Sequence, residues 1–69
     1  MTTDQTIQFI QDTMRRISQC QYHEIALTTA AYCRGLITMA SLQGIVEYKD
    51  CDALMLETQT VLDITLESL

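Results

Sequence analysis

Ile25-Ala-Leu-Thr-Thr-Ala-Ala-Tyr-Cys-Arg-Gly-Leu-Ile-Thr-Met-Ala-Ser-Leu-Gln43, closed by Gly44, is the stretch that decides the fold. It carries a single charge, Arg34, and no proline. A helix apolar over most of its circumference has to be covered by neighbours. The stretch therefore predicts the central helix of an all-α fold. Two rows run along it at alternating steps of three and four. Tyr22, Ile25, Thr29, Tyr32, Leu36 and Met39 form the first, which is expected to face inward. Ala26, Ala30, Cys33, Ile37 and Ala40 form the second, whose small side chains let another backbone come close.

Upstream, Thr2-x-x-Gln5 fits a capping box, and Asp4 complements the positive end of a helix dipole. Ile7, Ile10, Met14 and Ile17 continue as an apolar stripe, and Arg15 and Arg16 suit the negative end. This predicts a first helix over about residues 4–18. Carrying the stripe onward would turn Gln21, Glu24 and Thr28 inward, so the helix should break around Ser18–Gln21. Ser18-x-x-Gln21 is then a candidate cap for the second helix, over about 21–43. With no Gly or Pro at the break, a kink is the other possibility.

Downstream, Gly44 is placed as a left-handed residue after the helix end, with Ile45 as the apolar contact that follows. Glu47 is a candidate N-cap for a third helix over about 47–67, with Asp50 and Asp52 near its positive end. Its inward stripe is Cys51, Leu54, Met55, Thr58, Val61, Leu62 and Thr65. A short connector makes helices two and three a long antiparallel hairpin, with the N-terminal helix packed across it. That register puts Arg34 near Glu57, which would account for the lone charge.

Sixty-nine residues allow one domain, spanning 1–69. A core of this size seldom supplies more than about 3–5 kcal/mol, so a second subunit is expected, most simply in a two-fold homodimer. The candidate seams are the small row (Ala26, Ala30, Cys33, Ile37 and Ala40) or the off-stripe apolar residues Phe9, Leu56 and Ile64. The net charge of −5 favours solubility and basic partners over phosphate backbones or anionic lipid. The second helix is apolar enough to raise a membrane span, but Arg34, Gln43 and its Thr, Ser and Ala content favour a buried soluble helix. Met-Thr-Thr-Asp-Gln at the start has neither a basic residue nor an apolar run. A cytoplasmic setting with Cys20, Cys33 and Cys51 reduced is expected.

Little in the chain points to chemistry. Cys20-x-x-His23 with Cys33 and Cys51 is the one set resembling zinc ligands, but the expected register spreads them apart, and buried small-hydrophobe cysteines are the ordinary reading. His23 is the sole histidine, and no group stands ready to orient it beside a thiol. No metal, cofactor or catalytic residue is expected. Ala40-x-x-x-Gly44-Ile45 resembles the turn of a helix-turn-helix, yet the helix meant for the groove would begin Glu47-Tyr-Lys-Asp-Cys-Asp and offer acids to phosphates. The expectation is a non-catalytic protein-interaction module. A small acidic regulator, inhibitor or co-chaperone of bacterial, phage or plasmid type would fit. The alternative is a small nucleic-acid-binding regulator using Arg15, Arg16 and Lys49, either as a helical-hairpin RNA binder or as a degenerate helix-turn-helix.

Overall fold

The computed structural model describes residues 2–69. Three α-helices, α1 (Thr3–Ser18), α2 (His23–Leu42) and α3 (Tyr48–Ser68), each pack against the other two, and the described residues contain no strand. The molecule measures 35 × 20 × 15 Å.

Local chemistry sets most of the helix ends. At the start of α1 the capping box forms in both directions: the Gln5 amide donates to Thr2 Oγ1 at 3.1 Å, and the Thr2 amide donates to Gln5 Oε1 at 2.9 Å. α1 stops at Ser18, and a four-residue connector, 19–22, replaces the possible kink. The Gln19 and Cys20 amides close that turn onto the carbonyls of Arg16 and Ile17. The expected Ser18–Gln21 cap does not form. Tyr22 takes the N-cap position of α2 with no side-chain bond, and the Ser18 hydroxyl instead donates back to Arg15 O at 2.6 Å. Glu47 is the N-cap of α3 but accepts no amide there; its carboxylate faces Lys49 Nζ at 3.8 Å.

The end of α2 follows from one residue. Gly44 has φ 74°, a conformation that a Cβ makes costly. Its amide donates to Ser41 O at 3.0 Å, and the Ile45 amide donates to Ala40 O at 2.9 Å. These two bonds are a Schellman motif, which satisfies the last carbonyls of α2 and turns the chain toward α3. Val46, just beyond, drops into the core at 3% exposure.

The core lies where the three helices meet. Ile10, Met14 and Ile17 of α1 are buried there, as are Leu54, Leu62 and the threonines 58 and 65 of α3. Both sets sit on the expected stripes. From α2 comes the small row, Ala26, Ala30, Cys33, Ile37 and Ala40, buried nearly completely. This reverses the expected facing. Among the first row, Tyr22, Ile25, Tyr32 and Met39 stand in solvent at 52–66% exposure, and only Thr29 and Leu36 are half-buried. The reason is shape: α1 and α3 both bring large side chains, and two helices can close on α2 only along its side of small ones.

The buried threonines carry no unmet polar atoms. Thr13, Thr58 and Thr65 donate to the carbonyls of Phe9, Leu54 and Val61 at 2.9, 2.8 and 2.7 Å. Each side chain thus satisfies itself within its own helix and presents its methyl to the neighbours. Gly44→Ala should lower stability by about 1 kcal/mol, read from the urea midpoint. An unchanged midpoint would mean that the left-handed turn contributes nothing.

Candidate interaction surface

The outward sides of the helices differ sharply. On α2, the side away from the core carries Ile25, Ala31, Tyr32, Gly35, Met39 and Leu42, all exposed. No charged residue interrupts this side between Glu24 and the end of the helix, because Arg34 lies on the flank, half-buried. By length and composition α2 also passes as a membrane span, with mean hydropathy 1.3 over its most apolar window. Alongside it, α1 contributes Phe9, 44% exposed. Phe9 joins Ile10, Leu36, Met39, Ala40 and Ile45 around a groove of about 310 Å³ between α1 and α2.

The outward side of α3 is different. Leu56 and Ile64 are 70% and 60% exposed but stand among Asp52, Glu57, Asp63 and Glu67, all exposed too. They make a narrow apolar row with an acidic rim.

Of the candidate seam residues, Phe9, Leu56 and Ile64 therefore lie on the surface, while Ala26, Ala30, Cys33, Ile37 and Ala40 do not. The small row is filled by this chain's own α1 and α3, so it is corrected from a seam for a second molecule to the centre of the core. Met39, expected to face inward with the first row, is 54% exposed. What sequence reasoning missed is the face around Gly35. Its signal was present in the run Ala31–Gly35–Thr38, a helix side with no charge and no bulk.

Arg15 and Arg16 sit side by side in the last turn of α1, and the other two cations, Arg34 and Lys49, lie on α2 and α3. Arg15 is held by Asp12 one turn back, and Lys49 faces Glu47. Arg15 lies at the level of Val61, whereas Lys49 begins α3, some three turns away along that helix. Arg34 forms no ion pair with Glu57 or any other carboxylate among the described residues.

The cysteines do not converge, and no cluster of three metal-ligating side chains occurs among the described residues. Cys20 is half-buried, 3.7 Å from Thr29 Oγ1, and Cys51 is half-buried on α3. Cys33 is fully buried, with its sulfur 3.6 Å from Thr58 Oγ1 and 3.8 Å from Ile10 O. Burial pushes its thiol up from the ordinary range, with Thr58 and the Arg34 charge pulling weakly the other way. Its environment favours the neutral, inert thiol.

Compared with protein-family models, curated proteins and solved structures, the chain matches none.

Two outcomes follow for Cys33. In the native protein a thiol reagent should label Cys20 and Cys51 quickly and Cys33 only at the rate of unfolding, as counted by mass spectrometry; three equal rates would place Cys33 outside the core. Above about pH 8.5 the unfolded chain releases the Cys33 proton while the folded chain keeps it, so stability should fall as pH rises. The fall should be absent in Cys33→Ala, with urea melts between pH 8 and 10 as the measurement.

Proposed function

We propose that this protein is a non-catalytic interaction module, a small acidic regulator, inhibitor or co-chaperone that works through its helical surface. The hairpin of α2 and α3 would be its scaffold and a two-fold homodimer its working form, in the cytoplasm. The observation that carries this reading is the large apolar side chains outside a filled core, gathered mainly on one side of α2 and beside it on Phe9. Contiguous exposed apolar surface on a small soluble chain marks a place where something docks. Leu56 and Ile64 add a second, narrower row whose acidic rim suits a basic protein partner.

Affinity capture from the native host with the tagged, folded protein tests the reading. A specific partner should be retained at low salt and released as salt rises, because the acidic rim contributes to its capture. Leu56→Ala with Ile64→Ala should weaken retention by about 1 kcal/mol or more per residue if these side chains anchor the partner. Retention of nothing specific at any ionic strength would defeat the proposal.

A further inference from the structure

We propose that the outer side of α2 is the seam for a second copy of this chain, the two helices packing antiparallel about a two-fold axis beside Gly35. This rests on the reading of the protein as a self-associating module and supplies its seam, which takes Phe9 from the residues expected from the sequence and otherwise lies on neither of the two expected sets.

Three observations converge on a second copy. The first is charge. The chain carries nine acidic residues against four basic ones, so most of its surface repels another copy. Acids lie on the outward sides of α1 (Asp4, Asp12) and α3 (Asp50, Asp52, Glu57, Asp63). The outer side of α2 has none between Glu24 and Leu42. With the axis at Gly35, Glu24 comes opposite the uncharged residues that follow the partner's α2. Within α2 itself no acid comes opposite another, because Glu24 is its only one.

The second is area. Ile25, Tyr32, Met39 and Leu42 are between 52% and 77% exposed. Together with Phe9 and the small residues between them they leave on the order of 700 Å² uncovered per chain, close to the ~800 Å² that each partner gives to a standard interface. A two-fold seam uses this one surface twice.

The third is shape. Gly35 stands mid-helix on the side opposite the buried row, and a Cβ built there meets nothing within 4 Å. Within its own chain a glycine at this place only weakens the helix, by about 1 kcal/mol relative to alanine. Its exposed neighbours Ala31 and Thr38 are also small, and Tyr32 and Met39 form a ridge beside them. Small residues on one side of a helix let a second helix approach closely. In an antiparallel two-fold pair Tyr32 and the partner's Met39 come about level on one side of the axis, ring against thioether, while Ala31 and the partner's Thr38 come about level on the other, where their small size lets the two backbones close.

The whole protein and two variants, Gly35→Lys and Tyr32→Glu, are compared by sedimentation equilibrium from about 1 to 100 µM, with circular dichroism to confirm folding. The natural chain should sediment at twice its 7.8 kDa mass. Lysine fits the open space at position 35 and favours helix in the isolated chain, yet it puts a charge in a desolvated seam. Gly35→Lys should therefore stay helical while its dimer dissociation constant rises on the order of 100-fold or more. Tyr32→Glu should do the same by a different route.

A natural chain that is monomeric at 100 µM overturns the proposal together with the self-association reading. A dimer equally tight in both variants overturns only the seam and leaves self-association standing. Co-sedimentation of the natural chain with phosphatidylcholine vesicles, lost in Gly35→Lys, would assign the same face to a lipid surface and also overturn it.

Discussion

The structure depends on small meeting large along one side of α2. Ala26, Ala30, Cys33, Ile37 and Ala40 receive Ile10 and Ile17 from α1 and Leu54 and Leu62 from α3, and nearly every one of these is excluded from solvent. Helices approach more closely where one of them offers small side chains, and α2 offers such a side to α1 and α3 at once. Cys33 marks the centre, in contact with the Ile10 carbonyl and the Thr58 hydroxyl, where a larger side chain would push α1 and α3 apart. The same tightness explains the buried threonines. A hydroxyl turned back onto its own helix leaves no donor to be met by a neighbour, so the site accepts it as it would a valine of similar shape.

Spending the small side of α2 on the core leaves its large apolar side facing out. In a bigger protein another layer would cover Ile25, Tyr32 and Met39. Here two companion helices are both engaged on the opposite side, and their own outward faces are acidic or mixed. The functional reading grows from this geometry: the surface is apolar because the core took the small residues, and it is free of charge because the acids reside on α1, α3 and the first turn of α2. As proposed, self-association and partner binding would fall to different helices, α2 for one and α3 for the other.

Much of the architecture was legible in the sequence. Thr2 and Gln5 cap α1 as their spacing implies, Gly44 takes the left-handed turn with Ile45 beyond it, and the stripes of α1 and α3 are the buried ones. Less of the surface was legible. Phe9, Leu56 and Ile64 stand outside as their phase suggested, but the two rows of α2 exchange places. Arg34 makes no ion pair with Glu57, which lines the grooves between α3 and α1 beside Gln11. The cap expected from Ser18 and Gln21 fails because α1 runs on through Ser18 and α2 begins only at His23, with Tyr22 at its N-cap; the Ser18 hydroxyl donates to Arg15 O instead.

What the sequence by itself determined are the features set by near neighbours in the chain: three helices, most of their ends, and the inward faces of α1 and α3. Caps, turns and a strongly one-sided stripe act over three or four residues, and no distant partner alters them. What only the tertiary structure decided is which side of α2 turns inward. A helix apolar nearly all round has little hydrophobic preference among its sides. The choice passes to volume, and volume is known only once α1 and α3 are in place with their large side chains pointing at it.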